Sequence, residues 1–212
     1  VAGIAEGCKR AGCALIGGEM AEMPGFYEDG EYDIAGFCVG AVERAKIIDG
    51  SRIEEGDAIL SIPSSGLHSN GFSLVRKALD LAGVNIGLEV AELGGKLGDI
   101  LLTPTRIYAY EVRSLMKVFD IRGLAHITGG GLEGNISRAI PKGLAAEIDW
   151  TSWKRPEIFN FVQKAGNIAE NEMRKVFNLG AGMAVVLPQG DARKACGNAG
   201  FEIIQIGKIV KD

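Results

Sequence analysis

Twice in this chain a short apolar run breaks into a loop of glycine, hydroxyl and histidine residues, and a helical pattern begins just beyond it. In the first case Ala58-Ile59-Leu60-Ser61-Ile62-Pro63 leads through Ser64-Ser65-Gly66-Leu67-His68-Ser69-Asn70-Gly71 into Phe72-Ser73-Leu74-Val75-Arg76-Lys77-Ala78-Leu79. In the second, Gly123-Leu124-Ala125-His126-Ile127-Thr128 leads through Gly129-Gly130-Gly131 into a short helical pattern ending near Ile140. A buried strand cannot run on through such polar, glycine-rich punctuation, so each loop fixes a strand-to-helix joint. Two such joints require helices layered on a sheet.

The remaining pattern agrees with that class. Residues 1–10 have helical spacing, and Cys13-Ala14-Leu15-Ile16 and Tyr32 to Val42 read as strands. The turns Asp49-Gly50-Ser51 and Glu55-Gly56-Asp57 make a linker, after which the strand-and-helix order restarts. Helices are expected over about 70–82, 104–119, 156–165, 168–177 and 190–199, with strands over 58–62, 123–128, 144–148, 182–187 and 202–209. The expected fold is therefore α/β, an α+β layered sandwich, with right-handed crossovers.

Composition excludes several functions. A net charge of −4 and the lack of any Lys/Arg block argue against nucleic-acid binding. No apolar run approaches the ~20 residues that span a bilayer. The four cysteines, Cys8, Cys13, Cys38 and Cys196, form no C-x-x-C pair, and two histidines are too few to complete a zinc site with them. Reduced thiols are expected.

The two joints are where chemistry is expected. A strand that delivers polar side chains and free backbone N–H groups to a helix start can hold a phosphate or a small molecule. The first loop also fits a plain polar turn with Asn70 or Ser69 as helix N-cap. The triple glycine allows a backbone to approach a phosphate, although no lysine follows in P-loop arrangement. His68 and His126 each border one loop, and an imidazole suits proton transfer near neutrality. Glu19 and Glu22 follow Gly17-Gly18 at a strand end, where they either hold Mg²⁺ or serve as first-turn acids. Phe177-Asn178-Leu179-Gly180 reads as structural, with Gly180 as a helix C′ residue. Trp150 and Trp153 read as packing residues.

With these motifs assembled, the chain resembles the phosphoribosylformylglycinamidine cyclo-ligase (aminoimidazole ribonucleotide synthetase) family. The resemblance rests on Ile4-Ala5-Glu6-Gly7-Cys8, Gly17-Gly18-Glu19, Ala21-Glu22-Met23-Pro24-Gly25 and Asp33-Ile34-Ala35-Gly36-Phe37. It continues through Ser64 to Gly71, Pro104-Thr105-Arg106-Ile107-Tyr108, His126 to Gly131 and Ala165-Gly166-Asn167-Ile168, in the family's order over essentially the whole length. Two departures stand out. Gly134 occupies the place of the family's usual glutamate before Asn135, and Met20 stands where the family usually has threonine.

The resemblance implies a cytoplasmic homodimeric ligase that uses ATP and Mg²⁺ to close formylglycinamidine ribonucleotide into aminoimidazole ribonucleotide. It implies that residues 1–46 are the end of an N-terminal ATP-binding sheet domain and 47–212 a complete C-terminal α/β domain. The 212 residues alone are then expected to be inactive. The alternative is a non-catalytic ligand-binding or scaffold module on the same fold. On the ligase reading His68 and His126 are catalytic, and Glu19 is a metal ligand. Ser65, Gly66, Ser69, Asn70, Thr128, Gly129, Gly130 and Gly131 bind substrate or phosphate.

Overall fold

The computed structural model describes all residues from Val1 to Asp212. They divide into two compact units, Val1–Ile47 and Ile48–Asp212.

In the first unit, helix α1 (Ala2–Ala11) stops at Gly12, whose left-handed backbone turns its N–H back to the carbonyls of Cys8 and Lys9. Beyond it lie a single Pro24–Tyr27 bridge and a 3₁₀ turn at Arg44–Lys46. The strands expected at 13–16 and over 32–42 are not formed. The apolar pattern is there, but a strand is held by its ladder, and no neighbouring segment of this unit supplies one. Ile16, Ile34, Phe37 and Val39 consequently stand exposed.

The second unit runs β1 (Ala58–Pro63), α2 (Phe72–Leu81), a small hairpin of β2 (Glu89–Val90) and β3 (Gly95–Lys96), α3 (Leu97–Leu101), α4 (Ala109–Met116), β4 (Gly123–His126) and α5 (Gly131–Ile136). It continues with β5 (Leu144–Ile148), α6 (Glu157–Gly166), α7 (Glu170–Val176), β6 (Ala181–Leu187), α8 (Gln189–Asn198) and β7 (Ile204–Lys211). Five strands form one sheet in the order β4-β6-β1-β7-β5, and every ladder in it is antiparallel. The layered α/β expectation holds. The crossovers, however, link like-directed strands that are one strand apart: β1 to β4 around β6, and β6 through α8 to β7 around β1.

The central strand β1 is apolar but for the buried Ser61, because it is covered on both faces. Ala58, Leu60 and Ile62 pack with Val185, Leu187, Leu115 of α4 and Ala192 and Ala195 of α8. Ile59 points the other way, into Ala184, Val186, Ile206 and Leu132 and Ile136 of α5. A third cluster joins α2, α6 and α7 through Val75, Leu79, Phe159, Val162, Met173 and Phe177.

Three local differences from the sequence reading matter for the site. α4 starts at Ala109 rather than near Pro104, so the 104–108 segment is free to fold back on the end of β1. α2 is capped by Gly71 in the left-handed region, and neither Ser69 nor Asn70 caps it. Gly180 also has a positive φ, but it leads into β6 four residues after the end of α7 at Val176, so it is not that helix's C′ residue.

The α6–α7 corner carries a charge cluster. Glu170 accepts from Arg155, Gln163 and Arg174, and the Arg174 guanidinium lies 4.4 Å from the centre of the Trp150 ring. Arg155 first, then Gln163 and Arg174, hold the Glu170 carboxyl at about 2, below its ordinary 4.5. A depressed carboxylate stabilises the fold above its unfolded pKa and loses that contribution as protons bind on the way down. The stability difference between the natural chain and Glu170→Gln is therefore expected to be full at neutral pH, to shrink below about pH 4.5 and to vanish near pH 2. Urea midpoints measured across that range check it. A difference independent of pH would show that the cluster contributes nothing through charge.

Candidate functional site

The end of β1 and the end of β4 place the two histidine loops side by side. Asn70 makes the link, its side-chain oxygen accepting the Gly129 N–H at 3.1 Å. The centres of the His68 and His126 rings are 6.0 Å apart, and the Tyr108 ring lies 6.1 Å from the first and 5.8 Å from the second. Tyr108 reaches this place because the 104–108 segment is not helical. Its hydroxyl donates to the Pro63 carbonyl at 3.2 Å, and Arg106 donates to the same carbonyl at 3.1 Å while pairing with Glu111. Gly182 of β6 has to be glycine, because a Cβ there would overlap the Tyr108 hydroxyl.

The first loop is held from below by Asn178, which is 3% exposed. Its oxygen accepts from the Ser64 hydroxyl and the Gly180 N–H, both at 2.8 Å, and its amide donates to the Gly66 carbonyl at 2.9 Å. Leu179 beside it has φ 50°, and its carbonyl accepts from the Trp153 indole at 2.9 Å. Such a backbone persists only where its surroundings over-determine it. Nearer the surface, the Ser65 hydroxyl donates to the Pro104 carbonyl at 2.7 Å, and the Ser69 and Thr105 hydroxyls meet at 3.3 Å.

The second loop is held by Asn135 of α5. Its amide donates to the carbonyls of Thr128, Gly129 and Gly131, and its oxygen accepts from the Thr128 hydroxyl and from Arg138. The three glycines differ in purpose. Gly129 and Gly130 are exposed, and Gly130 has φ 102°. Gly131 is buried, has φ 67° and sits where a Cβ would run into the Arg174 backbone carbonyl of α7. A cleft of about 350 Å³ opens beside this loop, bordered by Asp49, Leu124, His126, Asn135 and Arg138.

The histidines differ in environment. His68 is 4% exposed, with φ 60°. Burial, then charge on His126 and on Arg106, pushes its imidazole down to about 4. His126 is exposed, and partial desolvation lowers it in the same direction. Tyr108 is pushed far above the ordinary phenol range by burial, so it stays protonated.

Of the residues expected from sequence, His68, His126, Ser65, Gly66, Ser69, Asn70, Thr128, Gly129, Gly130 and Gly131 belong to these two loops. Glu19 lies on the exposed 13–43 stretch of the other unit. Sequence reasoning missed Tyr108, Arg106, Asn135 and Asn178. Because proline is favoured at the first turn of a helix, no local signal at Pro104 marked that the helix begins only at Ala109. Asn178 beside Gly180 marked a turn with a polar anchor.

Residues 54–212 match the family described as AIR synthase related protein, C-terminal domain, and residues 1–42 match AIR synthase related protein, N-terminal domain. The chain is 52% identical to phosphoribosylformylglycinamidine cyclo-ligase of Sorangium cellulosum, a match covering 99% of this chain and 62% of that protein. It is 51% identical to the protein of the same name from Burkholderia cenocepacia, over 99% of this chain and 60% of that one. The chain thus spans about three-fifths of the length of these curated relatives. The crystal structure of thiamine-monophosphate kinase from Stenotrophomonas maltophilia shares the fold, with a TM-score of 0.50 and 16% identity over 81% of this chain and 52% of that chain.

Proposed function

The chain belongs to the AIR synthase related family, and from that premise we propose that it carries one wall of the site for ATP-dependent closure of formylglycinamidine ribonucleotide to aminoimidazole ribonucleotide. The observation that supports this most directly is the Asn70–Gly129 hydrogen bond. It joins a serine-rich loop and a glycine-rich loop into one concave edge with two histidines on it. Polar hydroxyls and an imidazole pair are groups that a phosphorylated small molecule needs.

In the proposed reaction the formyl oxygen attacks the γ-phosphorus of ATP, and the bond to ADP breaks. The formamide nitrogen gives up its proton as the C=N bond forms, and the resulting iminophosphate carries phosphate, a good leaving group, where the bare oxygen was a poor one. An internal nitrogen attacks the same carbon and loses a proton, and phosphate departs with the electrons of the C–O bond. Positioning and charge stabilisation carry reactions of this class. The Gly129–Gly131 loop would face phosphate oxygens. Ser65, Gly66, Ser69 and Asn70 would orient the ribonucleotide, and the His68–His126 pair would supply the catalytic imidazoles.

The family resemblance brings Mg²⁺ with it, but the fit within these residues is poor. Nowhere do three or more His, Cys, Asp or Glu side chains gather to hold a metal ion, and Glu19 offers a single carboxylate. No step is therefore assigned through the ion. A homodimer and a cytoplasmic location belong to the same proposal. No helix is long and apolar enough to cross a membrane.

The test is ATP-dependent formation of aminoimidazole ribonucleotide by the natural protein that carries these residues, with ADP released in equal amount. Replacing His126 by alanine is expected to lower turnover about 100-fold or more while leaving the melting curve in place. Ligand binding without turnover would favour the non-catalytic module, and an unchanged rate in the variant would remove His126 from the site.

A further inference from the structure

The backbone N–H of Ser65 points at Nε2 of His68, 3.2 Å away. An amide N–H can only donate, so Nε2 accepts and carries no proton. A neutral His68 must then hold its proton on Nδ1. That Nδ1 is buried and has no hydrogen-bond partner in the chain. A buried donor left unpaired costs free energy comparable to a lost hydrogen bond, so a fold keeps one only for a reason.

Resting on the reading above, we propose that His68 works as a neutral hydrogen-bond donor, offering its Nδ1 proton to an oxygen acceptor of the substrate once binding has uncovered that buried atom. His126 is then the histidine that takes up and releases the proton. The two roles follow from position. His68 is enclosed by Tyr108 and His126 and fixed through Ser65, whereas His126 ends β4 in the open. The groups that face His68 oppose its charging. His126 comes from β4, and the 104–108 segment brings Arg106, a permanent cation that Glu111 only partly offsets, and Tyr108, which stays neutral. Burial acts in the same direction. A neutral imidazole donor placed where negative charge grows on oxygen stabilises the transition state without itself changing protonation.

In ¹⁵N-histidine NMR of the natural protein, the signals lost in His68→Asn and in His126→Gln assign the two rings. From about pH 5 to about pH 8, His68 is expected to show the Nδ1–H tautomer throughout, while His126 titrates. An Nε2–H tautomer at His68, or a His68 that titrates in that range, overturns the proposal.

Kinetics test the donor itself. Asparagine tolerates a left-handed backbone and places an amide N–H close to where Nδ1 stood. His68→Asn is therefore expected to keep kcat/KM within about tenfold and to leave the pH profile in place. His68→Leu, which offers no donor, is expected to lose about 100-fold or more, and His126→Gln is expected to abolish the ionisation in the profile. Equal losses in the asparagine and leucine variants would overturn the donor role. If the unaltered protein closes no ring, the functional reading fails, and the NMR result still decides the tautomer.

Discussion

Gly131→Ala is expected to be among the most damaging single-methyl changes in this protein, lowering stability by about 3 kcal/mol or more. Two costs add. The residue has φ 67°, where an alanine is strained, and its new Cβ would meet the backbone carbonyl of Arg174, which cannot swing aside as a side-chain end would. Relief requires α5 and α7 to separate, which disturbs Leu132 and Ile136 on the sheet and Met173 and Phe177 in the helix layer. The control lies three residues further along the same helix. Gly134→Ala meets nothing within 4 Å and gains helix propensity, so it is expected to be neutral or to stabilise by up to about 1 kcal/mol. Urea unfolding of the pair measures the contrast. Equal stabilities would show that the third glycine is not there for packing.

Asn178→Ala is expected to cost about 2–4 kcal/mol and to lower kcat/KM about 100-fold, although the residue is not assigned contact with any ligand. Alanine leaves the Gly180 N–H and the Gly66 carbonyl unpaired in a buried place and frees the Ser64 hydroxyl. The loop carrying Ser65 and His68 then loses its anchor to β6. Asn178→Asp separates anchoring from mere volume. It keeps both accepted bonds but sets a carboxylate oxygen against the Gly66 carbonyl, so it should also fail. Asp at wild-type activity would mean that the Gly66 contact is unimportant. An alanine variant with reduced stability but unaltered kinetics would mean that the loop keeps its geometry without Asn178.

Much of this was legible in the sequence, and the reason differs from place to place. The order of strands and helices from Ala58 onward could be read because each element buries one face or both, which leaves a period in the residues. The two loops stood out because a run of glycine, serine and histidine supplies too little apolar surface for the inside of a strand or helix packed on both sides. At residues 13–16 and 32–42 the same reading failed. The apolar spacing there was sound, but a strand exists only with a partner, and spacing does not say whether one is near. The start of α4 was misplaced for a related reason. Helical spacing at Ile107 and Tyr108 counted as helix, whereas those residues lie on a segment that Arg106 and Tyr108 tie to Pro63.

What the sequence determined by itself was therefore local: the period of each element, the two breaks at Ser64–Gly71 and Gly129–Gly131, and the residue types found there. Tertiary structure decided which distant residues meet. The antiparallel sheet order sets Tyr108 between two histidines, Asn70 against Gly129, Asn178 beneath Gly66 and Gly131 against Arg174. These contacts join residues from 18 to 112 positions apart in the chain. No local pattern encodes such a pairing, because it results from packing the whole core at once.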